Sequence, residues 1–232
     1  MLILLAESKT MAPQHEVGAD DYAAHAPIYE ATADDIMLSL RQYSQERLAD
    51  AIGVSAKMAR YAAECIYDFP NKSMGRRAVD AYTGVVFKAL DPSTLSEAAT
   101  ERCHRQLRIV SSLYGWLRPA DIIKPYRFDF STPLAPGARA FNAFWRKDAT
   151  IALVRYLQEN AESEVANLLP QDASKCFDWK LIKRFAKVYV ADFKIGEGTD
   201  LRTPHAGRLK ELRGKMVRAI FEEGISSAAQ LR

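Results

Sequence analysis

The stretch AIGVSAKMA, Ala51 to Ala59, sets a glycine between Ile52 and Val54 and a lysine two positions after Ser55. Residues of these types suit a turn between two helices. Gly53 permits close backbone approach, free N–H groups at the start of the second helix face an oxyanion, and Lys57 adds positive charge. Gly53, Val54, Ser55 and Lys57 are therefore candidate phosphate contacts within a helix-hairpin-helix over residues 44–67. The competing reading is an ordinary core turn, because Ser55 stands where such hairpins commonly carry a second glycine. Lys57 also lies four residues after Gly53, a spacing at which lysine can serve as a Schiff-base nucleophile with a downstream aspartate, here Asp80, as helper. Phosphate contact is the favoured role.

Two other clusters bear on the same chemistry. From Arg208 to Arg218 run Arg208, Lys210, Arg213, Lys215 and Arg218 against the single carboxylate of Glu211. Gly214 interrupts this run, and a mid-helix glycine costs about 1 kcal/mol, which points to close approach of a ligand or another backbone. The segment SSLYGWLRPADIIKPYRFDF sets Tyr114, Trp116, Tyr126 and Phe128 among Arg118, Lys124 and Arg127. Rings beside cations suit base stacking and phosphate neutralisation, and equally a core whose arginines bridge loops. His15, His25, His104 and His205 have no metal-ligand spacing, and no GxSxG, GxGxxG or P-loop occurs, so neither metal nor cofactor is expected.

The elements that must position these residues follow from periodicity and punctuation. MLILLA reads as a buried strand, followed by a long loop. Thr32 is an expected N-cap of a helix to about Tyr43; Ser44 caps a second helix that stops at Gly53, and Ser55 caps a third. AYTGVVFKAL, rich in aromatic and β-branched residues, predicts a strand with a bulge or close approach at Gly84. A helix from Thr94 would turn Ala98, Cys103 and Leu107 inward, and the following RIVSSLYGWLRP fits helix and strand alike. Residues 141–159 predict an amphipathic helix, 165–169 a short strand, KVYVADF a fully buried strand, and 205–223 a last helix with Leu209, Leu212, Met216 and Ile220 on one face. The expected fold is α/β (α+β): one domain, a mixed β-sheet flanked by helices, with an N-terminal helix-hairpin-helix insertion.

Bulk properties narrow the class. A chain of 232 residues, 48% apolar, can bury a substantial core, and its net charge of +3 is too small to imply nucleic acid by itself. The cysteines Cys65, Cys103 and Cys176 are odd in number and widely spaced, which fits a reducing cytoplasm, and no segment is apolar over the length a bilayer requires.

Read together, MLILLAESKT, AYTGVVFKAL, LRIVSSLYGWLRPADIIKPYRFDF, Phe144-Trp145, NLLPQDASK and the K-x-x-R-G-x-M-x-R pattern of Lys210, Arg213, Gly214, Met216 and Arg218 occur in family order. Over nearly its whole length the chain resembles the YaaA-like peroxide stress protein family. The resemblance implies a cytosolic bacterial protein that limits oxidative damage to DNA, with a mixed α/β fold, a helix-hairpin-helix and a basic DNA-binding cleft. Carried over by position, Gly53 to Lys57 form the hairpin, and Lys9, Thr10, Arg118, Arg127, Asn167, Lys175, Arg213 and Arg218 join the cleft, with Lys210, Tyr114 and Tyr126 beside them. The family pattern has Ser-Pro-Ala-Lys-Thr where this chain has Ala6, Glu7, Ser8, Lys9 and Thr10, and continues past Arg232 with an aromatic, glycine-containing segment. The function expected is monomeric, sequence-nonspecific binding of double-stranded DNA. The alternatives are an enzyme of glycosidase or lyase type acting on a nucleotide or nucleobase in the same cleft, and a protein or RNA partner.

Overall fold

The computed structural model describes residues 1–196 and 201–231. In chain order the elements are β1 (Leu2–Ala6), β2 (His15–Glu16), α1 (Ala19–Ala24), α2 (Glu30–Leu40), α3 (Gln45–Ile52), α4 (Ala56–Asp68) and β3 (Met74–Arg77). Then come α5 (Ala78–Ala81), α6 (Val85–Leu90), α7 (Glu97–Gln106), β4 (Leu107–Ser111), β5 (Gly115–Leu117) and β6 (Ile122–Ile123). The chain continues with α8 (Phe141–Glu159), β7 (Glu164–Asn167), α9 (Gln171–Ser174), α10 (Trp179–Ile182), β8 (Lys187–Val190) and α11 (Ala206–Glu222).

A five-stranded sheet in the order β5-β4-β1-β7-β8 forms the centre, and β2-β3-β6 form a smaller antiparallel sheet. β1 is hydrogen-bonded in parallel on both sides, Leu5 opposite Ile109 of β4 and Leu4 opposite Asn167 of β7. Helices pack around it, so Leu2, Ile3 and Leu4 are wholly buried and the strand reads as an unbroken apolar run. The mixed sheet flanked by helices is the expected class. Because β4 lies on one side of β1 and β7 on the other, the strand order reverses at β1, the kind of switch point at which parallel sheets commonly open.

Several local expectations are corrected. AYTGVVFKAL is helical at its core: α5 ends at Ala81 and α6 takes Val85–Leu90. Phe87 and Leu90 are buried at a spacing of three, while Val85 and Lys88 are exposed, so helical burial against α11 overrides the β-branched propensity. KVYVADF yields β8, which is not buried. It pairs with β7 at the sheet edge, and Val190 is 69% exposed. In α2 the N-cap is Tyr29 without a side-chain bond, not Thr32, and the helix ends at Leu40. On α7 Ser96 rather than Thr94 is the cap, and it is Ala99, not Ala98, that turns inward four residues before Cys103. The ambiguous RIVSSLYGWLRP resolves as the antiparallel pair β4 and β5. On α11 the fully buried residues are Gly214, Val217, Ile220 and Phe221, with Leu209, Leu212 and Met216 half-buried beside them.

The glycine in the basic run is explained by packing. A Cβ on Gly214 would lie 2.2 Å from the Val86 carbonyl oxygen and 3.0 Å from the Leu90 nitrogen, so α11 meets the backbone of α6 there. Gly214→Ala gains about 1 kcal/mol of helix propensity. Overpacking against backbone costs about 1–3 kcal/mol and cannot be relieved by a rotamer change, so it wins. Gly214→Ala is therefore expected to lower stability in urea melts by up to about 2 kcal/mol; an unchanged or raised midpoint would show that α6 and α11 are not held this closely.

Candidate functional site

The segment after α2 builds its turn from short-range signals. The Ser44 side chain accepts from the Arg47 amide at 3.2 Å and opens α3, whose Leu48 and Ile52 are buried. Gly53 closes α3 in the left-handed region at φ +68°, and both its amide and that of Val54 donate to the Ala49 carbonyl. A Cβ at Gly53 would meet nothing within 4 Å, so in the free protein glycine is required by the backbone angle rather than by crowding. Ser55 is the N-cap of α4 in extended conformation, and its side chain makes no capping bond. The amides of the first turn have no intrahelical acceptor, which leaves them as donors. Lys57 is exposed and forms no ion pair among the described residues. Asp80 lines a separate depression with Arg77, Lys88, Cys103 and His104, so the structure does not bring it to Lys57.

The basic residues named from sequence divide by what they already hold. Arg218 donates to the carbonyls of Leu90, Asp91 and Thr94 and tethers α11 to the end of α6. Arg118 donates from Nε to Asp121 at 2.6 Å and from Nη2 to the Ala26 carbonyl. Arg208 and Lys215 both pair with Glu211, at 2.7 and 2.6 Å, which reduces the free charge of the run. Lys175 and Lys210 are exposed. Tyr114, Trp116 and Tyr126 are 2%, 2% and 3% exposed, so their rings are packed in the core rather than offered for stacking.

Two of these arginines make no hydrogen bond or ion pair among the described residues. Nη1 of Arg127 is buried without a hydrogen bond, and Arg127 acts electrostatically on Tyr61 of α4. Tyr61 also lines a cavity of about 450 Å³ together with Gln14, Glu64, Cys65, Asp68 and Lys124. Arg213 is half-buried and makes no hydrogen bond or ion pair among the described residues; burial lowers its pKa and Asp172 opposes that. Lys9 pairs with Asp129 at 2.8 Å at the end of β1, the Thr10 carbonyl accepts from Thr83, and Asn167 at the end of β7 accepts from the Leu169 amide.

The residue that the sequence did not single out is Glu7. It follows β1 directly, lies deep within the molecule and keeps some solvent exposure. Its Oε2 accepts from the Ser112 amide at 2.8 Å and from the Tyr126 hydroxyl. Tyr126 in turn contacts the hydroxyls of Tyr82 and Ser111, each at 2.7 Å, and the amides of Leu113 and Tyr114 donate to Ser111. With Tyr126 donating to Glu7, Tyr82 and Ser111 must donate to Tyr126, so the network of hydroxyls is aimed at one carboxyl. Burial pushes that carboxyl up to about 7, against these hydrogen bonds, which pull it down. The thiols are raised too: Cys65 to about 11 and Cys103 to about 12, both by burial, which leaves them poorly suited to react as thiolates.

The Glu7 shift has a consequence for stability. The folded value, about 7, exceeds the ordinary 4.5, so the protonated folded state is favoured at low pH. Its contribution is fully present below about 4.5 and is lost as pH rises through about 7. Wild type is expected to lose up to about 3 kcal/mol relative to Glu7→Gln between about pH 5 and pH 8. Paired urea melts across that range check this, and a pH-independent difference contradicts it.

Comparison with known proteins places the chain. Residues 1–232 match the family described as Peroxide stress protein YaaA. A UPF0246 protein of Parabacteroides distasonis is 30% identical over 234 residues, covering 100% of this chain and 91% of that protein. A UPF0246 protein of Bacteroides fragilis is 31% identical over 243 residues, covering 100% of this chain and 90% of that one. A third, from Francisella tularensis subsp. novicida, is 27% identical over 238 residues, with 100% and 91% coverage. Among the described residues no helix is long and apolar enough to cross a membrane. With a match over its full length, this chain belongs to the peroxide stress protein YaaA family.

Proposed function

We propose that the protein binds double-stranded DNA without sequence preference, as part of the peroxide stress response, by holding backbone phosphates at the start of α4. The observation that carries this reading is the uncapped first turn of α4, entered through left-handed Gly53, with the exposed and unpaired Lys57 beside it. Helix N-terminal amides and a lysine match the geometry and charge of a phosphate oxygen. Contacts of this kind position a duplex and read no bases.

Such binding is dominated by counterion release and weakens steeply with salt. Fluorescence anisotropy with labelled duplexes of unrelated sequence, between about 50 and 200 mM salt, should give similar affinities for all of them and a linear fall of log K with log salt. Lys57→Ala should weaken binding about three- to tenfold on every sequence alike and reduce the salt slope by about 1. Absence of duplex binding at low salt, or a Lys57→Ala variant indistinguishable from wild type, would sink the reading.

A further inference from the structure

Away from α4, the depression that holds Asp80 carries polar groups for which the packing of the fold has no use. It measures about 620 Å³, within the size range of small-molecule sites. Three parts of the chain wall it, and fixed contacts hold each of them. The end of β3 and the start of α5 bring Arg76, Arg77 and Asp80; Arg77 is paired opposite Ile122 of β6, and the Ala78 amide donates to the Asp121 carbonyl. α6 and the turn after it bring Lys88, Pro92 and Ser93, and Arg218 of α11 donates to the Leu90 and Asp91 carbonyls of that turn. α7 brings Thr100 and His104. Buried Val79, Tyr82 and Phe87 line it as well, so the depression rests on the core.

Its charge is one-sided. Arg76, Arg77 and Lys88 line it against the single carboxylate of Asp80. Arg76 is partly engaged, its Nε donating to the Pro13 carbonyl at 3.0 Å. The side chains of Arg77, Lys88 and Asp80 make no hydrogen bond and no ion pair among the described residues, and the hydroxyls of Thr83 and Thr100, which share the depression, make no hydrogen bond there either. Asp91, the next carboxylate along the chain, is taken up in its own turn by Ser93 at 3.0 Å and Thr94 at 2.9 Å. On α11 the same fold sets Glu211 between Arg208 and Lys215, whereas here neighbouring cations are left without an acceptor. A free guanidinium and a free ammonium lining one cavity match the oxygens of a phosphate: the first as a planar fork, the second as a point charge. His104 is held below its ordinary pKa by burial and by Arg77, so near neutral pH its ring is uncharged and offers one donor and one acceptor.

We propose that this depression binds a phosphorylated sugar, free or within a nucleotide, with its phosphate on Arg77 and Lys88 and a sugar hydroxyl donating to Asp80. A phosphate monoester carries a charge of about −1.5 to −2 near pH 7, which two cations balance. The carboxylate repels a bare phosphate but accepts from a hydroxyl, so it selects the ester over the free ion. Val79 and Phe87 give the carbon face of the sugar an apolar surface. The site shares no residue with the start of α4, and the inference is independent of DNA binding there.

Titration calorimetry of the full chain with ribose 5-phosphate, AMP, ribose and inorganic phosphate tests it, with no DNA present. Ribose 5-phosphate should bind at least about tenfold more tightly than either ribose or inorganic phosphate. Arg77→Gln and Lys88→Gln should each weaken it by about tenfold, and Asp80→Ala should bring it within about threefold of inorganic phosphate, whose own binding is not weakened by that change. AMP binding at least as tight as that of ribose 5-phosphate assigns the sugar to a nucleotide, and weaker AMP binding assigns the free sugar phosphate. Arg77, Lys88 and Asp80 are exposed, so the variants should fold, and circular dichroism identifies any that does not, leaving the others to carry the test. Failure of ribose 5-phosphate to bind at millimolar concentration overturns the proposal, as does binding no tighter than that of inorganic phosphate, or binding that Arg77→Gln and Lys88→Gln leave unchanged; all three leave the DNA reading standing. Displacement of bound ribose 5-phosphate by an added duplex overturns it in another way, by assigning the depression to a nucleic-acid backbone.

Discussion

β1 is hydrogen-bonded in parallel on both edges and buried on both faces, and the placement of the other functional elements follows from that. A strand in this position must be apolar through its length, and it must release the chain at its C-terminal end, where neighbouring strands no longer cover the backbone. The chain therefore passes from enclosed Leu5 to partly open Ala6, the last residue of the strand, and Glu7, the first beyond it. A carboxyl at that step has little water around it and several backbone and hydroxyl donors within reach. Its acidity is set by the competition between the two, and burial prevails.

Charge is distributed by the same economy. The α11 run looks like a basic stripe when read along the chain, but Arg218 is consumed in joining helices, and Glu211 takes Arg208 and Lys215. What remains unpaired among the candidate cations is smaller than the sequence count suggests: Lys210 and Arg213 on α11, Lys175 after α9, one buried nitrogen of Arg127 and Lys57 at the start of α4. Tyr126 and Asp129, on either side of Arg127, reach Glu7 and Lys9, so one short segment follows the chain leaving β1. Exposed surface pairs such as Lys215 with Glu211 add little stability, so their effect is chiefly to neutralise a field.

Much of the scaffold was legible because its signals are local. The apolar run of β1, the Ser44 cap, the stop at Gly53 and the full extent of α8 all rest on residues within a turn or two of each other. The misreadings share one cause. Val85 and Val86 favour a strand in isolation, and only the Gly214 contact, over a hundred residues away, makes a helix the better packed choice. Lys187 to Val190 look buried by composition, but burial depends on what lies outside the strand, and β8 is an edge. Glu7 was hidden most completely. Its partners Ser112 and Tyr126 lie 105 and 119 residues along the chain, and no spacing rule links one glutamate to them. The departure of AESKT from the family pattern was its one visible sign. Tyr114 and Tyr126 erred in the opposite direction: their neighbours in sequence are cations, yet their rings face the core.

The central claim is that α4 meets DNA end-on, through its first-turn amides. Backbone amide chemical shifts recorded while a short duplex is titrated into isotope-labelled protein address it directly. Perturbations concentrated at Gly53, Ala56, Lys57 and Met58, fading along α4, are the expected result. Perturbations confined to the sheet edge or to α11, with the α4 amides unmoved, would place the DNA elsewhere and contradict the claim.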